Sequence, residues 1–266
     1  MHAATPEITR SESTDSRFKR LPGCVRQELS AFLRFLARPR RTPIRAIGSS
    51  DSSGSSGAAG RVVLALLCVI ALDAVVFMPI EFGLGHWFEL ESTVNLNSVS
   101  ALFSAVIAAP IIEELFFRAG LRSVKYGLFI APALIVLLVG KDLYLTCATI
   151  ALILMIAIST AMRDDRLRQQ GVTGYRFARG RRFITLYPIV FWLFAIAFAL
   201  SHSANFTSND TLGLVPFFAV GSQLMAGVVM GYLRLRDRLR SAIALHFLNN
   251  LLVVALGIMA GEIHPW

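Results

Sequence analysis

The chain has 266 residues, 55% of them hydrophobic and only 16% charged, where soluble domains carry roughly 25% charge. Its apolar residues stand in uninterrupted runs rather than at periods of 3.6 or 2.0, which excludes a water-facing surface over most of the chain. The net charge of +9 does not point to nucleic acid, because the 26 Lys and Arg lie between the apolar runs, outside any nucleic-acid module.

In chain order, residues 1–61 are polar and basic, with a Pro/Arg patch at Arg38 to Arg45 and a Ser/Gly run from Gly48 to Gly60. Such a stretch buries too little apolar surface to fold, so it reads as a largely disordered tail and linker. Within it, Glu28 to Leu36 puts Leu29, Phe32, Leu33 and Leu36 on one helical face, which suits either a membrane surface or a transient helix. The first apolar run begins only at Val62, too late for a signal peptide. Cys24, Cys68 and Cys147 have neither metal-ligand nor redox spacing, and no disulfide is expected.

Seven apolar runs follow: Val62 to Ile80, Ser100 to Phe117, Tyr126 to Gly140, Leu143 to Ala161, Phe183 to Ser201, Leu212 to Leu233 and Ser241 to Ala260. Most reach the ~20 residues that a helix needs to cross a bilayer. The expected fold is all-α, a polytopic transmembrane helical bundle of about seven spans, with residues 62–266 as the membrane-embedded domain. The third and fourth runs are separated by Lys141 and Asp142 alone and read as a tight hairpin over 126–161. Of the 26 basic residues, 11 lie in the tail to Arg61, 3 in Arg118 to Lys125, 7 in Arg163 to Arg182 and 4 in Arg234 to Arg240. Only Lys141 is on the other side, so the expected N-terminus is cytoplasmic.

An ionisable side chain at membrane depth calls for an internal partner or a function. In Glu113-Glu114-Leu115-Phe116-Phe117-Arg118, adjacent helical side chains point about 100° apart. Glu114 and Arg118 are spaced to pair at i,i+4, which leaves Glu113 to face a site, and the two carboxylates are not expected to share one cavity. Phe198 and His202 close the fifth run, and His246 and Asn250 project from one face of the seventh. Asp73 in the first run has no motif around it and is read as a packing or partner-binding residue.

These three groups resemble the E-E-x-x-x-R, F-x-x-x-H and H-x-x-x-N motifs of the CPBP family, the intramembrane proteases that include type II CAAX prenyl endopeptidases and bacteriocin-processing and immunity proteins. All seven defining positions are filled in order by Glu113, Glu114, Arg118, Phe198, His202, His246 and Asn250. The resemblance covers roughly 100–125 and 184–254. One departure is the hairpin 126–161, which stands where relatives have a short connection.

The resemblance implies peptide-bond hydrolysis within the membrane, on a membrane-associated protein or peptide, by a multi-pass protein of the bacterial plasma membrane surrounded by lipid. It also leaves open a non-catalytic immunity or scaffold protein with the same fold. Under the protease reading, Glu113 acts as general base with His202 as its partner, and His246 and Asn250 supply donors toward the oxyanion. Glu114 and Arg118 balance charge, with Phe198 supporting. No cofactor is expected, although Glu113, His202 and His246 together make a possible zinc set. A transporter would also bury Glu and His, but no internal repeat is visible. At helical rise, Glu113 lies about 18 Å from Lys125 and Asn250 about 15 Å from Arg240, and His202 reaches a similar depth, about 21 Å, if its helix starts near Pro188 rather than Arg182.

Overall fold

The computed structural model describes residues 23–40, 57–123, 126–130, 132–133, 136, 142–172, 174–211 and 213–264, which form helices and one short two-stranded ribbon. Among these residues, five helical stretches are long and apolar enough to cross a membrane: Ala58–Phe88, Val99–Arg122, Leu143–Gln169, Tyr187–Asn205 and Leu239–Met259. Five of the seven expected runs are therefore seen as long apolar helices. The sixth run is divided into two shorter helices, Val215–Ala219 (α9) and Gly221–Arg236 (α10), with a break at Val220. Seven of the fifteen residues of the third run, together with Lys141, fall outside the described residues, as do 1–22 and 41–56 of the tail.

The tail is not wholly linker. Gly23–Ala37 forms helix α1, and its apolar face packs against the bundle. Phe35 is buried there, with its ring centroid 4.9 Å from that of Phe191 and 5.2 Å from that of Tyr232. A run of apolar residues at helical spacing gains more from a protein surface that also satisfies its charges, and Glu28 finds one: its Oε1 accepts from Arg236 Nη2 at 2.7 Å. Arg61 lies 4.0 Å from the same carboxylate and bonds Asp237 through Nε and Nη2.

The first span comprises α2 (Ala58–Leu72), a π-helical turn over Asp73–Phe77 and α3 (Met78–Phe88). The second comprises α4 (Val99–Phe103), a π-helical turn over Ser104–Ala108, α5 (Ala109–Phe117) and a 3-10 turn over Ala119–Arg122. Pro79 and Pro110 each stand two residues past a π turn. A proline inside a helix lacks the donor for the carbonyl four residues back and clashes with it, and widening the preceding turn relieves the clash.

Leu143–Gln169 is α6 and Tyr175–Thr185 is α7. Helix α8 runs Tyr187–Ser201 with Pro188 in its first turn, so it starts at the later of the two expected positions. Leu239–Met259 is α11. The core is the packing of α10 on α8 and α11, with α2 laid against α11. Two glycines of α10 permit the close approach. A Cβ on Gly227 would stand 2.8 Å from Phe198 Cδ1, and one on Gly231 would stand 2.7 Å from Phe191 Cε2.

Strand β1 (Glu91–Ser92) pairs antiparallel with β2 (Phe206–Thr207), and Thr93 N donates to Asn205 O at 2.8 Å. This ribbon ties the loop after the first span to the 3-10 turn Ser203–Asn205, which directly follows His202.

Candidate active site

Glu113, Glu114 and Arg118 sit on α5 and its C-terminal end, Phe198 and His202 at the end of α8, and His246 and Asn250 on α11. Six of the seven side chains meet directly. Glu113 Oε2 lies 3.7 Å from His202 Nε2 and 3.8 Å from His246 Nε2. The other nitrogen of each ring is already engaged: His202 Nδ1 is 2.9 Å from the Phe198 carbonyl, and His246 Nδ1 is 3.2 Å from Glu114 Oε1.

These partners assign the tautomers. A carbonyl oxygen only accepts, so His202 Nδ1 carries the hydrogen and donates. Glu114 is paired with Arg118, whose Nη1 stands 3.2 Å from Glu114 Oε1, and its carboxylate accepts from His246 Nδ1 in the same way. In neutral rings both Nε2 atoms are then acceptors, and both face an acceptor oxygen of Glu113 across a gap too long for a direct hydrogen bond. Glu113 Oε2 is shielded and has no hydrogen-bond partner among the described residues. Three acceptor atoms around one gap call for a donor between them, and a water molecule supplies two hydrogens. The side chains of Glu113 and His202 remain 21% and 19% exposed, although Glu113 Oε2 itself is covered.

The two glutamates occupy different places, as helical phase leads one to expect, but one side chain touches both. The imidazole of His246 spans the difference, with Glu114 at one nitrogen and Glu113 at the other. Glu114 and Arg118 are buried beneath it. The Arg118 guanidinium lies 3.8 Å from the centroid of the Phe198 ring, which also packs edge-on against Phe117 and His246 and tilted against His202. Phe198 thus supports both histidines and covers the buried cation at once. Asn250 is turned another way: its Nδ2 donates to the Ala105 carbonyl at 2.9 Å, which commits one of its two N–H groups.

Glu113, His202 and His246 are also the atoms that a zinc ion would need. Among the described residues, no group of three His, Cys, Asp or Glu side chains is arranged to hold a metal ion, so the residues do not fit one as they stand.

Sequence reasoning missed two parts of the site. Gly227 faces both Phe198 and Arg118 Nη2, the latter at 3.1 Å from a built Cβ; the signal was the small-residue pair Gly227 and Gly231 at i,i+4 in an apolar run. Ala105 was hidden because a backbone acceptor leaves no mark in composition, and only the proline five residues later hints at it.

No curated protein and no solved structure matches the chain. The family model described as type II CAAX prenyl endopeptidase Rce1-like matches residues 95–252. That stretch is more than half of the 266 residues and holds every residue of the assembled cluster. This integral membrane protein therefore belongs to the Rce1-like family of type II CAAX prenyl endopeptidases.

Proposed function

We propose that this protein is a glutamate-type intramembrane endopeptidase that hydrolyses a peptide bond of a membrane-associated protein or peptide. The observation that carries the reading is the gap of 3.7 and 3.8 Å between Glu113 Oε2 and the two imidazole Nε2 atoms. A water held there donates to Glu113 and to one imidazole, leaving a lone pair for the carbonyl carbon of the substrate. As the water oxygen bonds to that carbon, its proton passes to Glu113, with His202 holding the water in line. The C–N bond then breaks and the proton moves to the leaving amine, so water and amide become a carboxylic acid and an amine.

The oxyanion formed midway needs donors that are already in place. Asn250 offers its second Nδ2–H. His246 donates from Nε2 only as the imidazolium, whose charge Glu114 meets at Nδ1. Glu114, Arg118 and Phe198 hold that imidazole rather than touch substrate. The family description makes prenylated C-terminal peptides the first substrate class to try, in a bacterial plasma membrane or another bilayer, with lipid as the surrounding partner. The reading takes residues 62–266 as the protease domain, the N-terminus on the cytoplasmic side and 126–161 as an inserted hairpin.

The test is Glu113→Gln. Purified wild-type and variant proteins are reconstituted in vesicles with prenylated and unprenylated peptides, and membrane peptides of cells carrying either chain are compared for altered termini. New termini that need wild-type Glu113 support the reading. A biological effect that persists undiminished in the well-expressed variant overturns it.

A further inference from the structure

The hydrogen bond that holds Asn250 has an unusual acceptor. Inside an α-helix a carbonyl is filled by the N–H four residues on. For Ala105 that donor is Ala109, whose N–H reaches back to Ser104 O instead, across the π turn Ser104–Ala108. The next N–H in line is that of residue 110, which is a proline and has none. The Ala105 carbonyl is thus passed over by its own helix, and Asn250 Nδ2 fills it at 2.9 Å from α11.

We infer that Pro110 is a positioning residue for Asn250: by withholding an N–H it keeps the Ala105 carbonyl open, and that carbonyl fixes which way round the Asn250 amide sits. A carbonyl acceptor demands Nδ2 and rejects Oδ1, so the amide is held in one of its two flips, with its second N–H pointing in a set direction. The role of that N–H in the reaction rests on the proposed function, whereas the link from Pro110 to Asn250 rests on the backbone alone. The first span shows that the device belongs to the proline. Its π turn Asp73–Phe77 has the same form, with Met78 N donating to Asp73 O and Pro79 one residue further on. The second span therefore opens its turn because of Pro110, and Asn250 uses the carbonyl that results.

The test uses the full chain in micelles and in vesicles, with Pro110→Ala and Pro110→Val each returning a backbone N–H to compete for the carbonyls of this turn. The side-chain amide 15N–1H resonance of Asn250, assigned by its loss in Asn250→Ala, reports the bond without any need for activity. It is expected to shift in both proline variants and to stay in place in Pro79→Ala. With a cleaved peptide in hand, kcat falls about tenfold while KM is unchanged, the mark of a displaced group that acts in the transition state. In an Asn250→Ala background the same proline change leaves kcat within about twofold. An Asn250 resonance that stays put in either folded proline variant overturns the inference, as does an equal loss of kcat with and without Asn250. If no peptide is cleaved by the wild type, the proposed function is what has failed, and the resonance still decides the inference.

Discussion

The imidazole of His246 meets the buried carboxylate of Glu114 at 3.2 Å, and that contact decides which of its nitrogens faces Glu113. A histidine with a free choice of tautomer places its hydrogen on either nitrogen. Here the carboxylate at Nδ1 removes the choice, much as outer carboxylates orient histidines elsewhere. The two adjacent glutamates therefore differ in kind. One is fully buried and bound to Arg118 and His246, and the other, partly exposed, turns its Oε2 toward the two imidazoles.

Their substitutions are expected to separate accordingly. Glu114→Gln leaves the Arg118 guanidinium buried without its counter-charge, a loss of about 3–5 kcal/mol for a broken buried pair. Glu113→Gln leaves the fold intact, since its side chain has no such partner, and removes the base. Unfolding midpoints in micelles check the first expectation and peptide cleavage the second. A Glu114→Gln protein as stable as wild type would count against the buried pair.

Gly227→Ala should damage the site from behind. Its Cβ would meet Phe198 Cδ1 at 2.8 Å and Arg118 Nη2 at 3.1 Å, and neither group is a free chain end, because the ring and the guanidinium are stacked on each other. Overpacking of this kind costs about 1–3 kcal/mol. The displaced Phe198 ring would carry His202 and His246 with it, so activity falls further than stability alone explains. Gly83→Ala, which meets nothing within 4 Å, is the control expected to keep both. Equal behaviour of the two variants in cleavage and unfolding would refute this account of α10.

The cluster was legible in the sequence because charge is rare in apolar runs: Glu113, Arg118, His202 and His246 announce themselves by being where lipid excludes them. The helix start near Pro188 was legible too, since proline suits a first turn. What could not be read was the reach of a side chain across helices. Helical phase sends Glu113 and Glu114 to different places, and nothing in it shows that the His246 ring stands between them with one carboxylate at each nitrogen. The docking of α1 was hidden for a related reason. Its apolar face has the same pattern whether it lies on lipid or on protein, and the deciding partners, Arg61, Tyr232 and Arg236, are distant in sequence.

Removing the anchor of α1 tests that docking. Phe35→Ala strips the ring that packs edge-on against Phe191 and tilted on Tyr232, a core truncation worth about 3–5 kcal/mol at full burial. Helix α1 is then expected to detach before the bundle unfolds, because its remaining hold is the Phe32 ring on Tyr232, the partly buried Leu36 and the Glu28 contact with Arg236 and Arg61. Limited proteolysis reads this directly, as faster cleavage among residues 23–40 in Phe35→Ala with the rest of the chain protected. Unchanged cleavage there would mean that α1 is held by something other than this ring.

Chelation tests the water reading against the zinc alternative at Glu113, His202 and His246. If all three bind a metal ion, they converge on it as ligands at about 2.0–2.2 Å, and stripping the ion removes both the activated water and the glue between the helices. If water fills the gap, hydrogens rather than a cation stand between the lone pairs, and the fold already supplies the glue through Glu114, Arg118 and Phe198. The expected result is cleavage within about twofold of the untreated rate after exhaustive chelation, with zinc measured well below one per chain. Loss of cleavage that returns on adding zinc, together with a lower unfolding midpoint of the stripped protein, would overturn the water reading and make the two imidazoles ligands instead of proton partners.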